Sequence, residues 1–287
     1  MNTTFKAGLW MLGGIAAFSS MAVAGRELST ELDTFEIMMY RSLFGVLIVV
    51  IVAKLAGTLH QINTDDMSVH LVRNLAHFTG QNLWFYALTI IPLAQVFALE
   101  FTSPLWVIVL SPFILGEKLT LIRIISAIMG FIGILIVARP DMAGLNSGIV
   151  TAAASAIFFA LSIMFTKRLT RTQSITCILF YLTTMQLVFG IIAAGYDGDI
   201  TVPTMAALPL VLLIGAAGLT AHFCLTKALA LAPATVVMPL DFARLPTIAI
   251  VGMLVYNESL DFWVFVGATI IFAGNYLNIW SETRNKT

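Results

Sequence analysis

Residues 92–105, PLAQVFALEFTSPL, and residues 233–246, PATVVMPLDFARLP, decide the fold, because they match at a constant separation of 141 positions. Pro92 falls on Pro233, Leu99 on Leu240, Glu100 on Asp241 and Phe101 on Phe242. Chance matches are common between Leu-rich helices, but a shared acid inside two otherwise apolar runs is not one of them. Working outward in the same register, Phe18 falls on Phe159, Tyr40 on Tyr181, Ala87-Leu88 on Ala228-Leu229, Glu117 on Glu258 and Gly133 on Gly274. Two related halves are expected, residues 1–141 and 142–287.

The solvent of these halves follows from composition. Only 10% of the residues are charged and 59% are apolar, which is far from a water-soluble domain. About 20 apolar residues in a helix cross a hydrocarbon core of ~30 Å. Ten such runs are expected, at 5–25, 35–56, 70–91, 93–115, 119–138, 147–167, 174–195, 206–231, 234–256 and 261–280. Ala22-Val23-Ala24 before Gly25 has the small residues of a signal cleavage site, yet the basic start is only Lys6 and the repeat needs this first helix. The fold class is therefore an all-α membrane protein of ten transmembrane helices, arranged as two five-helix repeats. An odd number per repeat means that the second enters the bilayer from the opposite face, so the repeats are inverted. Of the fifteen Lys and Arg, eleven then fall on the side of the N-terminus, including Lys54, Arg73, Arg168 and Lys227. Arg26, Arg41 and Arg139 fall on the other side, and Arg244 sits inside a span. Basic residues stay on the cytoplasmic side, so both termini are expected there. Inverted repeats let one chain open to either face in turn, with a ligand at the midplane between them.

The chain also resembles a known family. Leu83-Trp84-Phe85-Tyr86-Ala87-Leu88, Ile91-Pro92-Leu93-Ala94, Phe101-Thr102-Ser103-Pro104-Leu105 and Gly116-Glu117-Lys118-Leu119-Thr120 are similar to the end of the first repeat of EamA-type ten-helix carriers, in the drug/metabolite transporter superfamily. A weaker second copy stands at Ala232-Pro233-Ala234 and Asn257-Glu258-Ser259-Leu260. Within that branch Trp10-Met11-Leu12, Met21-Ala22-Val23-Ala24-Gly25-Arg26 and Leu32 to Ile37 followed by Tyr40-Arg41-Ser42 look like bacterial riboflavin transporters of the RibN type. The resemblance implies a secondary transporter in the bacterial inner membrane, moving riboflavin by alternating access. Carriers of S-adenosylmethionine, amino acids or exported drugs share much of the pattern.

Candidate substrate-binding residues are the polar groups at bilayer depth, where a charge costs several kcal/mol unless it is paired or wet. Glu100 and Asp241 are the matched acids, and Arg244 stands three residues after Asp241, at the spacing of a local ion pair. Asn74, His77, Gln81 and Trp84 share one face of the third span, where they line a cavity or contact another helix. Position 222 matches position 81, so His222 is expected across the repeat axis from Gln81. For a flat heterocycle Trp84, Tyr86 and Phe101 are candidate stacking groups, with Gln81, Ser103 and His222 at its polar edge. Pro104 and Pro246 interrupt corresponding helices and deprive the carbonyls of Glu100 and Phe242 of partners. Together these place a cavity among the third, fourth, eighth and ninth spans. Arg41 follows Glu36 and reads first as an interfacial anchor, then as an outer gate. Glu117 and Glu258 end spans and read as structural.

The expected partners are a small-molecule substrate, flavin-like or another metabolite, the lipid bilayer, and a coupling proton or counter-substrate, with Glu100 and Asp241 as proton carriers. No cofactor, metal site, catalytic residue or nucleic-acid surface is expected. Cys177 and Cys224 lie inside spans, and the four His form no HExxH pair. Small-residue contacts such as Gly130 to Gly133 fit packing within one chain or between two, so the oligomeric state is not legible.

Overall fold

A computed structural model gives the architecture. It describes residues 3–114, 120–138, 146–169, 171–231 and 243–284. Eleven α-helices occupy them: α1 (Thr3–Leu28), α2 (Thr34–Leu55), α3 (Met67–Ile90), α4 (Leu93–Glu100), α5 (Ser103–Ile114), α6 (Leu121–Ala138), α7 (Ser147–Leu169), α8 (Ile175–Ala194), α9 (Leu208–Leu231), α10 (Arg244–Tyr256) and α11 (Phe262–Arg284). One 3-10 turn, Leu59–Gln61, joins α2 to α3, and no strand occurs among the described residues. Every expected span carries a helix close to its expected place. The span at 93–115 is broken into α4 and α5 by a turn at Phe101 and Thr102, and the span at 234–256 is described only from 243.

Five segments are long and apolar enough to cross a membrane: Phe5–Leu28, Thr34–Leu55, Leu93–Leu110, Ser147–Thr166 and Ile175–Ala194. Four shorter apolar helices accompany them, at Leu121–Val137, Leu208–Cys224, Arg244–Tyr256 and Phe262–Asn278. The chain is thus an all-helical, multi-pass membrane protein. α3 is the exception in composition, since His70, Arg73, Asn74, His77, Gln81 and Asn82 lower its hydropathy, and all six are buried inside the protein. The polar face of α3 is turned inward, while Leu71, Val72 and Leu75 are exposed on its other face.

Local signals explain the element ends. Asp33 caps α2, accepting from the backbone N–H groups of Phe35 and Glu36, while the Glu36 carboxylate accepts from the Asp33 N–H in return. Ser174 caps α8 by accepting from the Cys177 N–H at 3.1 Å. Along α2 the faces divide cleanly. Leu43, Leu47, Ile51 and Leu55 point outward at intervals of four, whereas Ser42, Gly45, Val49 and Ala53 are buried. From Ser42 onward large apolar residues face outward and smaller ones face protein, as helix packing in a bilayer favours.

The most extensive helix contacts all join an element before position 141 to one after it: α1 with α9, α3 with α7, α6 with α11 and α2 with α8. Moving each residue by 141 exchanges the first of these pairs with the second and returns the last two to themselves. Glycine contacts obey the same exchange. A Cβ on Gly133 would meet the Gly267 carbonyl oxygen at 2.7 Å, and one on Gly274, its counterpart, would meet the Ser126 carbonyl oxygen at 2.8 Å. Ser126 and Gly267 are themselves 141 apart. These contacts lie within one chain.

The break between α4 and α5 falls just before Pro104, where an interrupted span is expected. Pro104 is the second residue of α5 and Pro246 the third of α10, so both lie in a first turn, where a missing N–H costs little. The Glu100 carbonyl keeps a partner, because Ser103 Oγ donates to it at 2.7 Å. Thr102 Oγ1 donates to the Leu99 carbonyl in the same way, also at 2.7 Å. The Phe242 carbonyl and Asp241 lie outside the described residues.

Candidate functional site

Two polar clusters occupy the interior, and each crosses between the halves. The first centres on Glu100 at the end of α4. Trp84 on α3 donates from Nε1 to one carboxylate oxygen at 2.9 Å, and Arg244 on α10 reaches the other at 3.4 Å. The Arg244 guanidinium also lies over three aromatic rings, at 4.5 Å from Phe18, 4.9 Å from Phe101 and 5.7 Å from Phe97. Planar, weakly hydrated guanidinium groups suit such a place. Arg244 is thus held by a residue from the other half, where sequence spacing alone offers Asp241.

The second cluster surrounds Arg41. Its guanidinium donates to the Gln81 carboxamide oxygen and contacts Met38 Sδ at 3.6 Å. A Cβ on Gly218 would lie 3.0 Å from the same guanidinium, so the glycine leaves the room that Arg41 fills. Around it lies a small cavity of about 20 Å³, room for about one water molecule, walled by α2, α8 and α9. Its polar lining comprises Arg41, Ser42, Thr183, Gln186 and His222. Gln186 donates from Nε2 to the Asn74 carbonyl at 2.9 Å, and its Oε1 is buried with no partner among the described residues. His77 stands behind, its ring centre 6.4 Å from that of His222, and its Nε2 also has no partner among them. Phe18 links the clusters, with its ring edge-on to His222 at 5.7 Å.

Of the residues expected at a binding site, only His222 lines this cavity. Gln81 and His77 form a layer behind it, Gln81 through Arg41 and His77 through His222. Glu100, Trp84, Phe101 and Arg244 form the other cluster, bonded or stacked against one another. Trp84 is 2% exposed and bonded to Glu100, and Phe101 is 8% exposed beneath Arg244. Tyr86, two residues beyond Trp84, falls on the opposite face of α3 and is 41% exposed on the outside of the bundle. Ser103 is committed to the Glu100 carbonyl. Pro104 and Pro246 stand in the first turns of α5 and α10, and Asp241 lies outside the described residues. Among the described residues this cavity sits between α2, α8 and α9.

Arg41 is the residue that reading by charge misplaced. Glu36 is bonded to the Asp33 N–H and to the Thr201 N–H at 2.6 Å, so it does not hold Arg41 at the surface. Arg73 departs from expectation as well, being 6% exposed and donating to Thr166 Oγ1 at 3.0 Å and Asn74 Oδ1 at 2.8 Å. The usable signal was size. At the 141-residue offset His77 corresponds to Gly218 and Asn74 to Gly215, so the polar face of α3 is answered by glycines on α9. The void lies where those side chains are missing.

A third cluster closes one end of the bundle. Arg26 at the end of α1 forms an ion pair with Glu258 after α10, lies over the Tyr256 ring at 4.6 Å and donates to the Ile91 carbonyl at 3.2 Å. The Leu93 N–H donates to the same Glu258 carboxylate at 3.0 Å. Both free cysteines are buried, and the described residues hold no group of three or more potential metal ligands.

A protein of known crystal structure shares this fold, with a TM-score of 0.67 over 98% of this chain and 99% of its own at 16% identity. An S-adenosylmethionine uptake transporter of Rickettsia bellii is 28% identical over 98% of this chain and 96% of its own length. A riboflavin transporter of Brucella anthropi is 33% identical over 75% of this chain and 78% of its own, and one of Vibrio cholerae is 28% identical over 93% and 90%. These relatives are metabolite transporters, which makes this chain a transporter and not an enzyme. Since the family model matches it twice, at residues 5–139 and 146–280, the chain belongs to the EamA-like transporter family.

Proposed function

We propose that the chain is a secondary carrier that moves a small organic metabolite across the bacterial inner membrane by alternating access, with ten spans, two inverted repeats of residues 1–141 and 142–287, and both termini in the cytoplasm. The observation that carries it is a small cavity with walls from both halves, beside a partly buried arginine. Arg41 is the eighth residue of α2, about 10 Å from the helix start at 1.5 Å per residue. Walls from both halves meet there, which is where an inverted-repeat carrier binds its ligand. The two family matches begin at 5 and 146, the same 141-residue offset as the sequence repeat. Removing Arg41 and Arg73 from the count of interfacial charges leaves ten basic residues on the N-terminal side against two, so the orientation argument persists.

Riboflavin is the substrate that the sequence resemblance favours, and S-adenosylmethionine is the second reading, favoured by relatives that match nearly the whole chain. Transport driven by an ion or counter-substrate is part of the proposal. Proteoliposomes containing the purified protein, loaded or unloaded with unlabelled compound, test it with labelled riboflavin and labelled S-adenosylmethionine. Saturable uptake of either, accelerated by the same compound inside, is expected. If neither enters faster than into protein-free vesicles, the carrier reading for these metabolites is wrong.

A further inference from the structure

The pairing of α2 with α8 returns to itself under the 141-residue shift, so any difference between its two ends is a departure from the repeat. A clasp between loops of opposite halves ties each end. At the far end, away from the N-terminus, Glu31 accepts from the Thr204 N–H at 2.5 Å and from Thr204 Oγ1 at 2.9 Å. Glu36 accepts from the Thr201 N–H at 2.6 Å, and Tyr40 Oη donates to the Thr201 carbonyl at 2.9 Å. At the near end Asp66 accepts from Thr172 Oγ1 at 2.6 Å and Gln173 Nε2 at 3.4 Å. Its other bonds are neutral: Thr176 Oγ1 to Thr58 Oγ1 at 3.1 Å, Gln173 Nε2 to the Asp65 carbonyl at 3.5 Å and Cys177 Sγ to the Asn63 carbonyl at 3.7 Å. The same loops make both clasps, since the shift carries Glu31 onto Thr172, Glu36 onto Cys177 and Asn63 onto Thr204.

The ends differ in bonding and in packing. Two carboxylates with short bonds hold the far end and one holds the near end, and bonds to an ionised acceptor are roughly twice as strong as neutral ones. A Cβ on Gly190 would lie 2.7 Å from Met39 Cα, so the backbones of α2 and α8 touch toward the far end. The corresponding positions toward the near end carry Val49 and Phe180, whose side chains need room. Thr201, Thr204, Asp66 and Thr172 are exposed, so water can take over their bonds when a clasp parts. We infer that the α2–α8 seam is a two-ended gate, that its clasps release in turn, and that the far one is shut when the carrier is empty. The inference rests on the carrier reading above, in whose topology the far end is the outer face, and adds which end rests closed.

The test makes each clasp permanent. In a background of Cys177→Ser and Cys224→Ser, the pairs Glu31→Cys/Thr204→Cys and Asp66→Cys/Thr172→Cys are oxidised to disulfides in proteoliposomes and released with dithiothreitol. Uptake of labelled riboflavin or S-adenosylmethionine, whichever the unlinked protein carries, is expected to fall about ten-fold on linking either pair and to return on reduction. Without substrate the far pair is expected to link more completely than the near one. Glu36→Gln removes a charge from the far clasp while keeping its shape, and is expected to raise linking of the near pair, because a loosened far end lets the near end shut. Gly190→Ala is expected to do the same by pressing on the Met39 backbone. Uptake at the unlinked rate with both pairs joined would make the seam a fixed tether and overturn the inference. So would a near pair that links as fully as the far one, or one whose linking neither variant alters. No uptake by the unlinked protein sinks the carrier reading for these metabolites, whereas the linking measurements still decide the gate.

Discussion

Glu100 and Arg244 show how much a single residue's role depends on partners that its own helix does not supply. The acid was legible as an intramembrane charge, but its partners were not, because Trp84 and Arg244 approach it from 16 and 144 residues away. With side chains 19% and 7% exposed, this is a mostly buried pair, and removing one member takes from the other its ion-pair partner across the halves. Arg244→Ala is expected to cost ~3–5 kcal/mol of stability, more than the double variant Glu100→Gln/Arg244→Gln, which removes both charges. Thermal unfolding in detergent decides it; a double variant no more stable than the single one would mean that the pair is not the source of the cost. At the membrane surface Asp66 gives a pH dependence with a definite sign. Its carboxylate accepts from Thr172 Oγ1 at 2.6 Å and Gln173 Nε2 at 3.4 Å, and these bonds hold its pKa below the ordinary aspartate value. A lowered folded pKa means that the contribution is fully present above the unfolded value of about 4 and fades as pH falls through the lower folded one. Asp66→Asn is therefore expected to lower the melting temperature at pH 7 and to make little difference near pH 3. A constant difference across that range would contradict the assignment.

At the scale of elements, hydropathy placed the helices because lipid imposes a length and an apolar face, and these are local properties of a sequence. It did not place the cavity. Charge drew attention to Glu100 and to the stripe on α3, where the polar side chains turn out to fill space. The opening lies against Gly45, Gly215 and Gly218, whose effect depends on what the facing helix carries. Gly218→Val is expected to press on the Arg41 guanidinium and reduce uptake while leaving helical content and melting temperature close to normal. Uptake at the unmodified rate would show that Arg41 has room to spare. Gly133 makes the opposite case, since its facing neighbour is backbone. Gly133→Leu must separate α6 from α11 and is expected to destabilise by ~1–3 kcal/mol or more, with loss of folded protein after solubilisation. Recovery of a normal melting temperature would contradict that close approach.

For the whole molecule, the repeat was readable from the offset, and the exchange of helix contacts under the same offset follows the same register. What the sequence could not show is which contacts hold one end shut. Arg26, Glu258 and the Leu93 N–H close the end where α1 and α10 finish, and in an alternating machine such a closure belongs to one state. Ser42 offers a direct test, because it is small, 4% exposed and part of the cavity wall. In a background lacking Cys177 and Cys224, Ser42→Cys in sealed vesicles of known orientation is treated with a membrane-impermeant thiol reagent from one face and then the other. Alternating access requires labelling from both faces, with added substrate changing the two rates in opposite directions, and Arg26→Ala raising the rate from the face that it guards. Labelling from one face only, unchanged by substrate, would contradict it.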